Sequence, residues 1–508
     1  MTGVIAGMLL SQGGFARSVG GMNDDAAYSM SRTSDAGFTL AGFTESWGAG
    51  QEDIMVIKLN PNGEIAWARA IGGADQDEGY AVTGTSDGGI VVAAYTESFG
   101  HENDFLILKL NSSGGMAWAK AIGGTAVDCP YAIAVTADGG IAVLGETFSS
   151  GQGYNDFLIV KLAPDGSLSW ARTVGATSWD HGFSIAPTAD TGVVVTGYTM
   201  SWGTGGGELI VAKIDKTGSL EWAKIYEDPS ANFDEAYSVI QTSDRGFAVA
   251  GYTVYFGSGG RQDFIVMKLD SDGNPSWVKA YGGNSDDNAN SIIQTSDSGF
   301  AVAGYTRSYG VGSRDFMIIR LNKNGDLIWA RTWGRTGKDE AKSIIQAQDG
   351  GFVAAGYIDG FSSYYDFAAL KLGPDGNYPG CVSECVPVVN TASPIVYPAN
   401  GLVCAEYVPD VSAPEPIVTT INPATVNICD PLYEGVNETQ EGVREVISSP
   451  ISGGIIFRST RSLALKIYGP DGRVAYSGNL IPGENRVSMR PGVYFWRAES
   501  FGGRITVR

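Results

Sequence analysis

The fold of this chain is decided by a block that residues 104–124 carry as DFLILKLNSSGGMAWAKAIGG. An almost unbroken apolar run leads into a glycine-containing turn, and a second apolar segment follows around Trp118. The block occurs in six complete copies, 51 to 55 residues apart, and a seventh copy begins at residues 366–372. An internal period of this length predicts a repeat architecture.

A second repeated block stands before each copy of the first. In residues 237–253 it reads YSVIQTSDRGFAVAGYT, two short strands joined by an Asp-x-Gly turn. Together the two blocks supply four antiparallel strands per repeat and no amphipathic helix. They predict an all-β fold, a seven-bladed β-propeller of four-stranded antiparallel blades. A β-solenoid is the alternative, but its coils are usually shorter.

The incomplete ends of the repeat array indicate how the ring closes. The seventh repeat lacks its tryptophan strand, whereas residues 13–21, GGFARSVGG, match residues 67–73 and stand before every other strand. Phe15 lies 52 residues before Trp67, which is the ordinary period. We therefore expect the N-terminal strand to complete the blade of residues 342–372, which removes a free sheet edge.

Composition limits the classes of function. The 508 residues include 34 basic and 55 acidic side chains, and this net charge of −21 repels nucleic acid. A hydrophobic content of 43% supports a packed core. The sequence holds no apolar run of about 18 residues, so no membrane-spanning helix is predicted. Two histidines leave little material for a histidine-based metal or acid–base site.

Shifts in composition divide the chain into four predicted segments. They are a truncated leader remnant (1–12), the propeller (13–380), a Pro- and Cys-rich linker or small stapled module (381–447) and a small C-terminal β-sandwich (448–508). The apolar VIAGMLL at the start is short for a signal peptide, so we expect the true leader to begin upstream.

The third segment holds four of the five cysteines. In a chain that looks exported, these favour disulfides over a metal site, and four cysteines can pair in three ways. The disulfide candidates are Cys381, Cys385, Cys404 and Cys429.

Loop lengths locate a variable face. The step from Tyr28 to Thr44 is 16 residues and has the same length in every blade, and the step from Asp53 to Trp67 is 14 residues in all complete copies. Length changes only between the second and third strands and between successive blades. These two connections lie on one face, which we call the loop face, and loops on a rigid scaffold commonly carry binding. Drift in longer loops is the alternative explanation.

Seven aspartates, which we call the ring aspartates, stand at one position of the loop face. A ring of carboxylates at the channel mouth could hold calcium, but a residue present in every blade is more typical of a turn cap. The ring aspartates are Asp25, Asp77, Asp128, Asp180, Asp234, Asp287 and Asp339.

Aromatic residues occupy a second position, in the loops between the second and third strands. Such residues in glycine-rich loops suit stacking on sugars or anchoring of a protein partner, and packing between blades is the alternative. These loop aromatics are Trp47, Phe99, Trp202, Phe256, Tyr309 and Phe361.

Other repeated residues indicate architecture. The tryptophans that end each complete repeat are expected to pack between blades. Seven glycines are expected to take a positive φ in the hairpin between the first two strands. They are Gly37, Gly89, Gly140, Gly192, Gly246, Gly299 and Gly351.

The chain holds little that resembles a catalytic site. His101 and His181 fall in the loop face and Cys129 follows a ring aspartate, but no spacing brings them together. No HExxH, GxSxG or phosphate-loop motif occurs. We predict no catalytic residue and no cofactor, with calcium on the ring aspartates as the alternative. The many aspartates leave a paired-carboxylate glycosidase open.

The segment KLDSDGNPSWVKAYGG (268–283) resembles the repeats of bacterial secreted β-propeller proteins of the SBBP and delta-60 type. It also resembles, more loosely, the tryptophan-docking repeats of quinoprotein dehydrogenases. The resemblance covers residues 13–372 and implies the fold rather than a function.

The C-terminal end resembles the sorting domain of proteins exported by the type IX secretion system. The matching elements are LKIYGPDGRV (465–474), PGVYF (491–495) and the basic residues Arg504 and Arg508. The resemblance implies a small β-sandwich that the secretion machinery recognises at the outer membrane.

The sequence thus predicts a secreted or surface-attached, non-catalytic binding or adhesion protein. Its partner would be a glycan or an extracellular protein, bound on the loop face. The alternatives are an extracellular enzyme on the same scaffold, either a glycan-active hydrolase or lyase or a quinoprotein-like oxidoreductase, and a purely structural surface protein.

Overall fold

The computed structural model describes residues 14–100, 103–202, 206–227, 233–256, 261–359 and 364–378 in full, together with Cys385 and the backbone of short strands between 383 and 507. Every regular element in these parts of the chain is a β-strand. The chain divides into two compact units, one of residues 1–360 and 364–427 and one of residues 361–363 and 428–508.

The larger unit is a seven-bladed propeller, as predicted. The first strand is β1 (Phe15–Val19), and three blades follow it. Blade I is β2 (Asp25–Arg32), β3 (Phe38–Thr44), β4 (Asp53–Leu59) and β5 (Ile65–Gly72); blade II is β6 (Asp77–Gly84), β7 (Ile90–Thr96), β8 (Asp104–Leu110) and β9 (Met116–Gly123); blade III is β10 (Asp128–Val135), β11 (Ile141–Thr147), β12 (Asp156–Leu162) and β13 (Leu168–Gly175).

The remaining blades repeat this order. Blade IV is β14 (Asp180–Pro187), β15 (Val193–Thr199), β16 (Glu208–Ile214) and β17 (Leu220–Glu227); blade V is β18 (Glu235–Gln241), β19 (Phe247–Thr253), β20 (Asp263–Leu269) and β21 (Pro275–Gly282); blade VI is β22 (Asp287–Gln294), β23 (Phe300–Thr306), β24 (Asp315–Leu321) and β25 (Leu327–Trp333); blade VII is β26 (Glu340–Gln346), β27 (Phe352–Asp359) and β28 (Tyr365–Leu372), completed by β1.

Closure of the ring follows the prediction from the incomplete ends. Strand β1 pairs antiparallel with β28, with Phe15 opposite Lys371 and Val19 opposite Phe367. The two ends of the repeat array therefore share one blade, and no blade edge is left open between them.

The core lies between neighbouring blades. Strand β8 is buried at every position, which explains why its sequence is apolar almost throughout. Its Phe105 and Ile107 pack in one cluster with Val143 and Leu158 of blade III. The outer strands bury alternate residues over much of their length, as expected for an edge with one solvated face.

The tryptophans join each blade to the next. Trp67 of blade I donates its indole N–H to the carbonyl of Ser112 in blade II at 3.1 Å. Its ring lies against Gly114, whose φ is +77° and where a Cβ would come within 2.9 Å of the indole. Phe15 takes the same place at the closing blade, against Gly63 of blade I. The tryptophan position thus forms an inter-blade contact, as expected.

The glycines of the first hairpin differ from the prediction by one position. Positive φ occurs at the preceding residue, for example at Ala36 (65°) and Gly88 (81°). Gly37 is required for a different reason, because a Cβ there would lie 2.3 Å from the carbonyl oxygen of Leu59 and 2.6 Å from Nζ of Lys58. The repeated glycine therefore makes room for the third strand and its lysine.

An unexpected feature surrounds the propeller. Seven short strands follow the last blade, and each pairs antiparallel with the outer strand of one blade, in reverse order around the ring. We call this segment the belt. Its strands are β29 (Ser383–Glu384), β30 (Val388–Thr391), β31 (Ile395–Pro398), β32 (Val403–Glu406), β33 (Asp410–Ser412), β34 (Ile417–Ile421) and β35 (Thr425–Asn427).

The belt changes the interpretation of residues 381–447. Composition predicts a linker or a small stapled module there, but residues 383–427 belong to the propeller unit and make every blade five-stranded. Strands of two to five residues that are held by backbone hydrogen bonds need no alternating pattern of apolar side chains, so the usual strand pattern is missing from this segment.

The belt also bears on the disulfide candidates. Cys404 lies in β32 on blade III, opposite Val174. Cys385 is buried in a core cluster of blade VI, and its N–H donates to the carbonyl of Ala330. A disulfide requires Cα atoms within about 7 Å, so the topology excludes the Cys385–Cys404 pair. Cys381 and Cys429 lie outside the described residues, and the other pairings stay predictions.

The smaller unit contains two antiparallel sheets, and their packing as the expected C-terminal β-sandwich stays a prediction. One sheet has the order β36 (Val446–Ile451), β37 (Gly454–Ser459) and β40 (Gly483–Ser488). The other has the order β39 (Val474–Leu480), β38 (Leu463–Tyr468), β41 (Gly492–Ala498) and β42 (Phe501–Val507). Across the described part of the chain, no helix has the length and apolar character needed to cross a membrane.

Candidate functional site

The first strands of the seven blades enclose a channel on the propeller axis. Its cavity has a volume of about 850 Å³ and is lined by residues from all seven blades. The ring aspartates begin these strands or immediately precede them, so they mark the loop-face end of the channel.

The ring aspartates are buried caps. The Asp25 carboxylate accepts hydrogen bonds from the hydroxyl of Thr44, from the N–H of Gly21 at 2.7 Å and from the hydroxyl of Ser46 at 2.8 Å. Asp180 and Asp287 accept from equivalent donors. These bonds tie the loop between blades to the loop within a blade, which is the role we favoured for all seven aspartates.

A second acid lies beside each of several ring aspartates, at the start of the preceding third strand. Asp156 of blade III and Asp180 of blade IV both flank Gly175, where a Cβ would lie 1.6 Å from one carboxylate and 2.9 Å from the other. Burial, and then the charge of Asp180, raise the pKa of Asp156 to about 7. Within the described residues no three His, Cys, Asp or Glu side chains are grouped for a metal ion; calcium on the ring stays a prediction.

The loop aromatics lie against the inter-blade cores. Trp47, Phe99, Trp202 and Phe256 are half-buried and each packs against a core cluster. Tyr309 does the same, and its hydroxyl donates to the carbonyl of Gly282 at 3.0 Å. Phe361 lies outside the described residues. The structure shows the packing of these rings, and ligand binding by them stays a prediction.

What distinguishes the blades is the residue directly after each ring aspartate. It stands opposite a residue of the second strand, and the two strands carry seven such pairs around the channel end. The pairs are Ala26–Phe43, Glu78–Tyr95, Cys129–Glu146, His181–Tyr198, Glu235–Tyr252, Asn288–Tyr305 and Glu340–Tyr357. Blades II, V and VII share a Glu–Tyr pair, and the other four blades each carry a different pair.

Deeper in the channel, aromatic rings form a collar over five blades. Tyr28 and Tyr80 stack at 5.4 Å between ring centres, and Tyr80, Tyr131 and Phe183 follow with edge-to-face contacts at 5.6 and 5.7 Å. Tyr237 ends the series, 5.0 Å from Phe183. The equivalent residues in blades VI and VII are Asn290 and Lys342, so the collar is open on one side.

His181 lies in a buried polar network between blades III and IV. Its Nδ1 is 2.5 Å from Oε2 of Glu146, and its Nε2 is 3.0 Å from the amide nitrogen of Asn155. The Tyr131 hydroxyl donates to Oε1 of Glu146 at 2.8 Å. Burial opposes ionisation of Glu146, but the hydrogen bonds from His181 and Tyr131 hold its pKa below the ordinary value. Both imidazole nitrogens therefore have partners, and the ring is fixed in orientation.

Cys129 joins this network from the strand opposite Glu146. The structure therefore brings Cys129 and His181 into one cluster, which their spacing did not predict. Burial raises the pKa of the Cys129 thiol to about 12, so it stays protonated near neutral pH. A protonated, buried thiol is a poor nucleophile. His101 lies outside the described residues.

Exposed aromatic rings continue from His181 to the surface. Tyr154 stacks on Trp179 at 5.3 Å with an angle of 8°, and Trp179 stacks on His181 at 5.9 Å with an angle of 4°. Tyr154 is 65% exposed and Trp179 38% exposed, and Phe148 and Phe233 are each 40% exposed beside them. We call Phe148, Tyr154, Trp179 and Phe233 the aromatic platform.

The platform occupies positions that the sequence analysis passed over. Trp179 and Phe233 stand directly before the ring aspartates of blades IV and V, where blade II has Gln76 and blade VII has Lys338. Phe148 directly follows Thr147, the last residue of β11 in blade III. The available signal was a position whose residue changes from blade to blade inside an otherwise repeated block.

The other sectors of the mouth are polar. In blades I and II, Gln76 donates from its amide to Glu52 at 2.8 Å, and Glu78 lies beside it. Burial, and then the neighbouring Glu52, raise the pKa of Glu78 to about 7. Blades VI and VII instead carry the cations Arg314 and Lys342. The mouth therefore has an acidic, an aromatic and a basic sector.

Comparisons with known proteins agree with the fold. A family model described as "Domain of unknown function (DUF5122) beta-propeller" matches residues 85–114 and 136–168, in blades II and III. A search of curated proteins finds no match to this chain.

Several solved structures are similar to this chain. The Chaetomium thermophilum Sqt1 bound to the N-terminus of ribosomal protein L10 is 12% identical, with 69% of this chain and 98% of that chain covered and a TM-score of 0.36. A puromycin hydrolase mutant complexed with PGG is 13% identical, with 72% and 55% covered and a TM-score of 0.46. A putative gluconolactonase is 10% identical, with 75% and 94% covered and a TM-score of 0.33. Likenesses this distant do not decide between binding and catalysis.

Proposed function

We propose that this protein binds a glycan at the loop-face mouth of its channel, with the aromatic platform as the surface on which a sugar ring stacks. The observation that carries the proposal is the row formed by Tyr154, Trp179 and His181, whose rings lie nearly parallel and of which Tyr154 and Trp179 are exposed. Flat aromatic faces with polar groups beside them suit the apolar face of a sugar and its hydroxyls.

The buried network under the platform supports this use. Glu146 and Asn155 fix the His181 ring, and His181 in turn stacks under Trp179. A ring held in this way loses little conformational freedom when a ligand binds, which favours affinity. The platform is therefore organised before the sugar arrives.

Two observations favour binding over catalysis. Both nitrogens of His181 have partners, which leaves neither nitrogen for general acid–base work. The Cys129 thiol is buried and protonated near neutral pH. We therefore propose a non-catalytic binding or adhesion protein.

We place this activity outside the cell, as a secreted or surface-attached protein. The support is the resemblance of residues 448–508 to type IX sorting domains. When the full chain is expressed behind a complete signal peptide in cells with that secretion machinery, it is expected in the medium or on the surface, where protease added to intact cells degrades it. Full protection from the protease together with absence from the medium would contradict this placement.

The binding site is tested by a glycan array with the full chain and its Trp179→Ala variant. Loss of a central stacking ring typically costs about 1.4 kcal/mol or more, so we expect affinity for the bound glycan to fall about tenfold or more. Lys338→Ala changes the same backbone position on blade VII and is expected to bind as the unchanged chain does. Equal binding by all three proteins, or binding of no glycan, would overturn the proposal.

A further inference from the structure

We propose that the basic sector of the channel binds the carboxylate of an acidic sugar, so that the recognised glycan carries a uronic acid. This rests on the proposed glycan binding and adds the chemical class of the sugar. The sector consists of Arg314, Glu340 and Lys342 with Asn288 beside them, and all four line the cavity.

The first argument is the sign of the charge. The chain as a whole has 55 acidic and 34 basic residues. Among the residues that line the cavity, however, the charged ones are Arg32, Arg314 and Lys342 against the single acid Glu340. The acids Glu146 and Glu235 lie behind the lining, bonded to the hydroxyls of Tyr131 and Tyr237. The positive charge is therefore concentrated in the basic sector, which attracts a small anion.

The second argument is that the cations are fixed in place. Glu340 is 2% exposed and uses both carboxylate oxygens, one for the guanidinium of Arg314 and the other for Nζ of Lys342 at 2.7 Å. The guanidinium lies 4.4 Å above the ring of Tyr305, and Nζ of Lys342 lies 5.6 Å from that of Tyr357. The single negative charge of Glu340 neutralises only one of the two positive charges of Arg314 and Lys342. The carboxylate of a ligand would neutralise the other.

The third argument is unused hydrogen-bonding capacity. Asn288 is 6% exposed, and its Oδ1 has no hydrogen-bond partner within the described structure. Nε of Arg314 is also buried there without a partner. The Asn288 amide also bonds the side chains of Tyr237 and Tyr305. Buried polar atoms of a folded protein are normally bonded, so these two atoms mark a part of the basic sector whose hydrogen bonding is incomplete.

Size and shape fit a sugar. The cavity of about 850 Å³ falls in the usual range for small ligands. The collar of Tyr28, Tyr80, Tyr131 and Phe183 supplies aromatic surface for the ring, and it is interrupted only where Lys342 and its neighbours supply charge. The planar guanidinium matches a carboxylate in a two-point contact, which favours a uronic acid over a neutral sugar.

The test is calorimetric titration of the full chain with D-glucuronate, with D-glucose as the neutral counterpart. We expect glucuronate to bind and glucose to bind at least about tenfold more weakly, because charged hydrogen bonds are the stronger ones. Arg314→Gln is expected to weaken glucuronate about tenfold or more, and Arg314→Lys, which keeps the charge without the fork, to weaken it less. Arg307→Gln, an arginine of blade VI that is paired with Asp286 outside the cavity lining, is the matched control.

Each other result has a defined meaning. Equal binding of glucuronate and glucose, or equal loss in Arg307→Gln and Arg314→Gln, would overturn the inference. Binding of glucose 6-phosphate without glucuronate would overturn the assignment of a carboxylate. If array glycans bind through Trp179 while glucuronate does not bind, this inference fails and the proposed function stands. If glucuronate binds through Arg314 while no array glycan depends on Trp179, the platform fails instead.

Discussion

A chain that ends at Asn377 is expected to aggregate, whereas a chain that ends at Asn427 is expected to stay monomeric. The first truncation removes the belt and the second retains it. Without the belt, the outer strand of each of the seven blades presents unpaired N–H and C=O groups to solvent. Open strand edges of this kind pair with other chains.

The two truncations form a matched pair, because both lack the C-terminal unit. Light scattering after size-exclusion chromatography measures their association, and a thermal scan measures their stability. The chain that ends at Asn377 lacks the backbone hydrogen bonds of all seven belt strands. Because each lost kcal/mol lowers the midpoint of a large domain by about 2–4 °C or less, we expect this chain to melt about 5–10 °C below the other. Monomeric behaviour of both chains at equal midpoints would show that the belt is dispensable.

The sequence predicted the blades because each strand of a blade carries its own pattern. The run from Asp104 to Leu110 is apolar because the strand is buried along its whole length, and Trp118 recurs because each tryptophan packs on the turn of the next blade. Closure was predictable from a count, since residues 13–21 supply the strand that the last repeat lacks.

The belt was missed because backbone pairing leaves little trace in side-chain patterns. A weaker signal was present: Pro387, Pro394, Pro409 and Pro416 each stand directly before a belt strand. Proline lacks an N–H and is common where a strand begins or an edge ends. A spacing of about seven residues between short strands is the feature that composition alone did not show.

The candidate site was missed for the opposite reason. The search looked for residues that recur, such as Trp47 and its equivalents, and in this propeller recurrence accompanies packing between blades. The proposed binding surface lies where the repeat varies, as at Trp179, which stands where blade II has Gln76 and blade VII has Lys338. Only the packing of blade IV on blade III brings Trp179 and His181 to Glu146, which lies 35 residues before His181 in the sequence.

The Asp180→Ala variant is expected to unfold at markedly lower temperature, by a loss of about 2–4 kcal/mol in the free energy of unfolding. The change leaves the N–H of Ala176 and the hydroxyls of Thr199 and Ser201 without their acceptor. Each buried donor without a partner costs about 1–3 kcal/mol. The expected loss is smaller than the sum over the three donors, for two reasons. Burial raises the pKa of Asp180, so the variant no longer has to bury this carboxylate. The variant also removes the repulsion between the Asp180 and Asp156 carboxylates.

The control for this variant is Asp165→Ala, which removes an aspartate that caps Ser167 in an exposed turn of blade III and is expected to leave the midpoint nearly unchanged.

The same melting curves also show whether Asp180 acts as a cap or as a calcium ligand. A cap predicts that a chelator does not change the midpoint of the unaltered chain, since the hydrogen bonds of Asp180 come from the protein itself. If the chelator lowers that midpoint and calcium restores it, while Asp180→Ala no longer responds to either, the ring aspartates bind calcium and the cap is a secondary role.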